Sequence, residues 1–202
     1  ETLDLLSESQ PEHRISQPRM GFVETIYSLE NSDQTELPSD KTIIFFNTSD
    51  TFSYKVPSDF VEFSSGVICF PGNFQNLQTD KYTEVRATHL ANYDKWKALS
   101  YEKESYVAQK RSMSLITIAT LENIIGSFRS NIVYQDTFTP VTIERYTSKI
   151  GGAIYGSPVK IKDGDLGFNN LFLAGTDQGF LGIVGSMLSG VSIVNQHILP
   201  KL

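Results

Sequence analysis

Apolar positions along the chain change rhythm near residue 92. Before it they come in short bursts of Val, Ile, Thr, Phe and Tyr between clusters of Asn, Asp, Ser, Pro and Gly, the pattern of strands and turns. Residues 21–28 alternate loosely through Val23, Ile26 and Tyr27 and predict a strand. The run Thr42-Ile43-Ile44-Phe45-Phe46 predicts another over 41–47. A further, edge-like strand is expected over 51–56, ahead of Pro57. Gly66-Val67-Ile68-Cys69-Phe70 is the next, stopped by Pro71-Gly72-Asn73. Over 82–90, Val85, Ala87 and His89 alternate with Glu84, Arg86 and Thr88. The polar stretches 1–17 and 31–40 read as an arm and an exposed connection. A sheet of at least four or five strands follows.

Beyond residue 92 the period lengthens. Asn92 or Asp94 stands where a helix carrying Trp96 and Leu99 needs its cap. From 101 to 128 the spacing is helical. Leu115, Ile118, Ala119 and Glu122 share one side, Leu121, Ile124, Ile125 and Phe128 an adjoining one, with Gly126 near the end. Its charged first half is expected to be less buried than its second. Residues 132–138 return to a strand that ends at Pro140. A block of strands, a long helix and then strand–turn–helix predict an α+β fold. Its expected parts are a mixed-sheet domain over 1–148 and a separate closing unit over 149–202, with the boundary near 148–152.

In the closing unit, Leu171-Phe172-Leu173-Ala174-Gly175 reads as a central strand and Thr176-Asp177-Gln178-Gly179 as a glycine-rich turn. A helix follows from 182 to 197. Its Gly182, Gly185, Ser186, Ser189 and Gly190 recur at spacings of three and four, giving a narrow face that sits close to a sheet or a ligand. Free N–H groups at such a helix N-terminus stabilise an anion. Helix–sheet packing with no ligand is the plain alternative. One strand and one helix cannot bury two apolar faces, so exposed apolar surface is expected along 171–174 and 183–194. For the same reason, and because Glu1-Thr2-Leu3-Asp4 shows neither initiator Met nor signal pattern, the chain is expected to be a piece of a longer protein.

Composition removes several classes of function. The net charge of −6 argues against a chain whose main work is holding nucleic-acid phosphates. A single cysteine, Cys69, excludes an internal disulfide and a Cys-rich zinc site, and is expected to be a small buried hydrophobe. His13, His89 and His197 have no metal-ligand spacing, and no metal is expected. There is no Gly-x-Ser-x-Gly elbow, phosphate loop or Gly-x-Gly-x-x-Gly fingerprint, and no catalytic side chain is identified. No run of about 18 apolar residues exists, so a membrane span is not expected.

Two segments remain. Thr139-Pro140-Val141-Thr142-Ile143-Glu144-Arg145-Tyr146 is followed by Gly151-Gly152-Ala153-Ile154-Tyr155-Gly156. Tyr146 and Tyr155 are candidates for lining an apolar pocket, against the alternative of an ordinary loop with two half-buried tyrosines. In the second segment, Gly175 and Gly179 permit the close backbone approach that a phosphate requires, and Asp177 suits sugar hydroxyls.

Taken in order with Asn170-Leu171-Phe172-Leu173-Ala174-Gly175-Thr176-Asp177-Gln178 and Gly182-Ile183-Val184-Gly185, these pieces resemble the C-terminal end of phytoene desaturase-like flavoproteins. The resemblance is to the retinol saturase and carotenoid isomerase branch of the FAD-dependent amine oxidase superfamily, and it is close over 139–202. It implies that 149–202 is the C-terminal segment of a Rossmann-like FAD-binding domain and 1–148 part of a substrate-binding domain. Gly175, Thr176 and Asp177 would approach the pyrophosphate and ribityl chain of FAD, and Gly182, Ile183 and Val184 the isoalloxazine. Tyr146 and Tyr155 would face an apolar substrate, polyene or lipid-like, with the sheet as its floor. The activity implied is flavin hydride transfer or double-bond isomerisation, with the ADP-binding part in the same or a companion chain. A cytoplasmic location, association with a membrane surface and no nucleic-acid partner complete the expectation. The other reading is a non-catalytic α+β lipid-binding or interaction module that has lost the flavin.

Overall fold

Strict alternation over ten residues makes β1 (Gly21–Glu30) a strand with two distinct faces: Val23, Thr25, Tyr27 and Leu29 are buried, and the residues between them are half-buried. The structure, a computed structural model, describes residues 20–31, 37–74 and 82–202. The expected arm over 1–17, His13 and the middle of the connection over 31–40 lie outside the described residues.

β1 pairs with β4 (Tyr82–Ala91) on one side and β5 (Ile132–Phe138) on the other. The sheet is completed by β3 (Ser65–Cys69) and β2 (Ile43–Asn47), in the order β2-β3-β4-β1-β5. Every pairing is antiparallel, so the sheet is not the mixed one expected. β4 and β5 do run parallel to each other, but β1 lies between them. The expected strand over 51–56 is absent; those residues are the outer part of a loop whose inner part takes the pairing, with Val61 bridging Ala91.

Helix α1 (Tyr93–Leu99) begins where Asn92 accepts a hydrogen bond from the Lys95 N–H at 3.1 Å. Helix α2 (Lys103–Ile125) follows and stops at Gly126, whose φ of 87° closes the last turn. Met113, Ser114, Thr117, Ile118, Leu121 and Ile125 are its buried residues, so the inner stripe lies slightly off the expected one, and Leu115 is 57% exposed. Ile118, Leu121 and Ile125 join Tyr27, Leu29, Ile68, Phe70, Val85, Ala87 and Phe128 in the main core. A second cluster unites Val23, Val61, Ala91, Trp96 and Met113. Both clusters lie on the α2 side of the sheet.

Pro140 does not simply end a strand. It is the first residue of α3 (Pro140–Thr147), a position where a missing N–H costs nothing. Thr139 and Thr142 cap this helix reciprocally. The closing unit also differs from expectation. Leu171–Phe172 (β7) pairs with Asp165–Phe168 (β6) in a two-stranded hairpin, so this segment is not a central strand among the described residues.

The last helix, α4 (Gly182–Ile193), continues through a wider turn at Val194–Ile198 and a tighter one at Leu199–Lys201. By length and composition alone, Gly182–Lys201 is apolar enough to cross a membrane, which the run-length reading did not anticipate: Asn195, Gln196 and His197 interrupt the run without lowering its mean hydropathy below 1.2. The architecture is α+β, with one long helix on one face of a five-stranded sheet.

Candidate functional site

Four contacts join the conspicuous motifs into one continuous structure. Glu144 on α3 accepts hydrogen bonds from the Tyr93 hydroxyl (2.8 and 2.9 Å), the Lys97 ammonium (3.0 Å) and the Gly151 N–H (3.1 Å). Burial pushes the Glu144 carboxyl up, but these donors more than offset it and hold it below its usual range. Gly152 then lies directly on Pro140, where a Cβ would collide with the proline carbonyl. Gly156 lies as closely on Asp177, whose carboxylate accepts the Ser157 N–H at 2.6 Å. Lys160 closes the arrangement by donating to the carbonyls of Tyr155 (2.5 Å) and Thr176 (2.9 Å).

The glycine-rich turn is locked from beneath. The Gly175 N–H donates to the Ser189 hydroxyl, which donates to Gln178 Oε1 at 2.6 Å; Gln178 Nε2 donates to the Lys162 carbonyl at 3.0 Å. Ser189 and Gln178 are both buried. Sequence reading placed Ser189 on a small-residue face but gave Gln178 no role. The small face packs only in part: Gly185 meets Phe180 and Ser189 meets the turn, but Gly182 and Gly190 have open space beside them and Ser186 is exposed, while Ile193 reaches Gly164. The opposite side of α4 is open, with Ile183 84%, Val184 69% and Met187 69% exposed.

Between the turn and the start of α4 is an open cavity of about 740 Å³, lined by Ile154, Tyr155, Thr176, Gly182, Ile183, Ser186 and Met187. Its volume falls within the range of small-molecule sites. Gly175 (φ 92°) and Gly182 (φ 73°) have open space where a Cβ would stand. Leu181 precedes α4 without offering a side-chain cap, so the positive helix end is left to whatever enters. Thr176 Oγ1 is buried with no hydrogen-bond partner among the described residues.

Of the eight site residues read from the sequence, Tyr155, Thr176, Gly182 and Ile183 share this cavity. Val184 is not among the lining residues; the helical turn carries it away from the side that holds Ile183, Ser186 and Met187. Asp177 faces Gly156 and Ser157 instead of sugar hydroxyls, and the Gly175 N–H is already taken by Ser189. Tyr146 points elsewhere: it is 77% exposed on α3, beside the Arg145 guanidinium. Among the described residues no group of His, Cys, Asp and Glu has metal-binding geometry. His197 stacks on Phe172 at 4.4 Å and meets the Asp163 carbonyl at 2.7 Å.

Tyr155 links the cavity to the sheet. Tyr155 meets Phe22 edge-on, with ring centroids 5.5 Å apart. Phe22 lies on the face of the sheet turned away from α2, where Ile43, Phe45, Tyr134 and Phe138 are exposed. In the middle of this face Arg86 pairs with Glu84 at 2.5 Å and Glu24 at 3.7 Å. Burial and, less strongly, Glu84 push the Glu24 carboxyl up against the pull of Arg86. Cys69 is half-buried here, not enclosed as expected, because it alternates outward from Ile68.

Compared with known families and curated proteins, the chain matches no family model and no curated sequence.

Proposed function

We propose that this chain is the C-terminal part of an FAD-dependent oxidoreductase acting on an apolar, polyene or lipid-like substrate. The observation that carries the reading is the polar cradle at the start of α4: an uncapped helix end, a Thr176 hydroxyl without a hydrogen-bond partner among the described residues, and Gly182 with open space where a Cβ would stand, all at one cavity. These features fit a flavin dinucleotide, whose charged and carbonyl groups supply acceptors for the helix end and Thr176. When bound, FAD supplies hydride transfer or double-bond isomerisation.

In this reading the residues of the chain bind and orient. Gly182 and Ile183 present backbone N–H groups to negative charge on the ring, and Thr176 donates its hydroxyl. Tyr155 forms the wall between ring and substrate. The sheet face around Phe22 forms the substrate floor. Ile154, Ile183 and Met187 exclude water from one side. The Gly-x-Gly-x-x-Gly unit belongs to the same or a companion chain, and its sheet covers the open side of α4. A cytoplasmic position against a membrane surface, from which an apolar substrate is drawn, belongs to the same proposal.

Asp177, turned to Ser157, favours a second reading. It holds a loop in place and leaves sugar hydroxyls without the expected acid, as in an α+β module that binds lipid and has lost the flavin.

The absorption spectrum of the natively purified protein, with every polypeptide that accompanies it, separates the two. Flavin bands that fall several-fold in Thr176→Val are the expected result. A colourless protein that cannot be reconstituted with FAD, even when a Gly-x-Gly-x-x-Gly polypeptide is supplied, overturns the proposal.

A further inference from the structure

Lys160 commits its ammonium to main chain. Its Nζ donates to the Tyr155 carbonyl at 2.5 Å and to the Thr176 carbonyl at 2.9 Å. An ammonium carries three N–H groups, so one is left over. Among the described residues Lys160 makes no ion pair. Asp177, the acid of the same turn, accepts the Ser157 N–H at 2.6 Å and packs on Gly156 instead. A half-buried ammonium whose partners are neutral carbonyls is a positive charge without a counter-ion.

That charge is fixed at the cavity wall, because Tyr155 and Thr176 are both lining residues. The stem of Lys160 crosses the glycine-rich turn at Gly179, passing 3.8 Å from where a Cβ would stand. The Ile161 N–H donates to the Asp177 carbonyl at 3.0 Å, and Gln178 Nε2 to the Lys162 carbonyl at 3.0 Å. Lys160, Ile161 and Lys162 are thus pinned in turn to Thr176, Asp177 and Gln178. The backbone sets the ammonium in place, and little rotamer freedom is left to lose when a ligand arrives. The lining itself holds no carboxylate: Ile154, Tyr155, Ile183 and Met187 are apolar or aromatic, and Thr176 and Ser186 are neutral. The Thr176 hydroxyl oxygen is buried without a hydrogen-bond partner among the described residues. The chain carries a net charge of −6, so the positive sign here is local.

We propose that Lys160 makes this cavity a site for an apolar, ring-bearing ligand that carries an anionic group, the anion meeting the uncommitted Lys160 N–H and the Thr176 hydroxyl. A sulfonate, carboxylate or phosphate gains a charge-assisted hydrogen bond there, while an uncharged ligand of the same shape gains only the area term. Lys160 also joins the two walls, so its charge and its position act on the same ligand. That the anion belongs to a flavin dinucleotide rests on the oxidoreductase reading; the anion site itself does not.

Two dyes with one ring system separate charge from shape: anilinonaphthalene sulfonate, an anion, and phenylnaphthylamine, uncharged. Both are titrated by fluorescence into the purified full protein, with flavin absorbance recorded in the same samples. Lys160→Met should weaken the sulfonate about tenfold or more and the uncharged dye by less than about twofold. Lys160→Arg, which keeps the charge, should hold the sulfonate within about threefold of the parent. In the parent, raising salt from about 0.05 M to about 0.5 M should weaken the sulfonate several-fold relative to the uncharged dye, a readout that needs no variant. Three results overturn the proposal: equal losses of both dyes in Lys160→Met, which would make Lys160 a brace of the walls alone; sulfonate affinity in that variant within about twofold of the parent; or equal salt sensitivity of the two dyes. In protein that carries flavin bands, the bands replace the sulfonate as the readout, and bands undiminished in Lys160→Met overturn it equally. Sulfonate binding that depends on Lys160 but is not displaced by FAD would keep the anion site and remove the flavin; displacement by FAD with no dependence on Lys160 would do the reverse.

Discussion

The Ser189 hydroxyl accepts the Gly175 N–H and thereby fixes the glycine-rich turn to the middle of α4, just past Met187 at the cavity edge. That hydroxyl also satisfies the buried Gln178 carbonyl oxygen. Ser189→Ala therefore strands the buried Gln178 carbonyl oxygen and the part-buried Gly175 N–H at once. The expected loss is about 2–4 kcal/mol, from about 1–3 kcal/mol for each unsatisfied group. Urea denaturation measures it, with exposed Ser186→Ala as a control expected to change stability by less than about 0.5 kcal/mol. A Ser189→Ala loss as small as the control would show that the network holds nothing.

Two glycines should respond in opposite directions. Gly152 has φ 62°, and a Cβ there meets the Pro140 carbonyl. Gly152→Ala is expected to destabilise by more than about 2 kcal/mol, through strain and collision together. Gly190 lies inside α4 with open space around it. In flavin-free protein Gly190→Ala should stabilise by up to about 1 kcal/mol, the helix propensity difference. Thermal or urea midpoints of the pair decide this.

His89 makes stability sensitive to mild acid. It is 1% exposed, gives its Nδ1–H to the Ser65 carbonyl at 3.0 Å, and lies edge-on to Phe46 and Phe63. Burial lowers its pKa below 6.5, against the opposing pull of the Ser65 and Glu62 carbonyls and the Glu62 carboxylate. The unfolded chain then binds a proton that the folded one refuses. Stability is full above about pH 6.5 and falls with acid, at up to about 1.4 kcal/mol per pH unit until the folded His89 protonates. His89→Leu should flatten this slope between about pH 6.5 and pH 5. An unchanged slope in that variant would place the acid sensitivity elsewhere.

Glu144 has the opposite origin and a lower window. Its folded pKa is depressed below 4.5 by Lys97, Tyr93 and the Gly151 N–H, despite the upward push of burial. Its contribution is present above about pH 4.5 and is lost as pH falls through the folded value. Glu144→Gln should cost about 1–2 kcal/mol at neutral pH, discounted because Lys97 is 40% exposed, and should shrink the acid loss below about pH 4.5. Because Glu144 holds Gly151, the same variant should loosen the loop carrying Tyr155. The Tyr155 region would then exchange its amide hydrogens faster, while the distant β2–β3 pairing would not.

The strands and helices were legible wherever one face is buried by the chain itself. Alternation in 21–28 and 82–90, and the helical period of 101–128, follow from a sheet face pressed against α2, so burial wrote itself into the spacing. Asn92 was legible as a cap because its side chain answers a local N–H. The 51–56 segment misled because Phe52 and Tyr54 suit a strand by residue type, but they are exposed in a loop that pairs with no strand. Residues 139–147 misled because a proline that ends a strand and one that begins a helix look alike. The partner that decides, Thr142, is visible only once its hydroxyl returns to Thr139.

The sequence alone determined the strand-then-helix order, the turn glycines and the apolar character of both ends of the candidate site, because each is a local property of spacing and side-chain type. Tertiary structure alone decided that Pro140 meets Gly152, that Gly156 meets Asp177, and that Ser189 and Gln178 lock the turn. It also separated Tyr155, at the cavity beside Phe22, from Tyr146, nine residues away and in solvent. Those outcomes depend on which distant backbones approach within van der Waals contact, and no local pattern of residues encodes that distance.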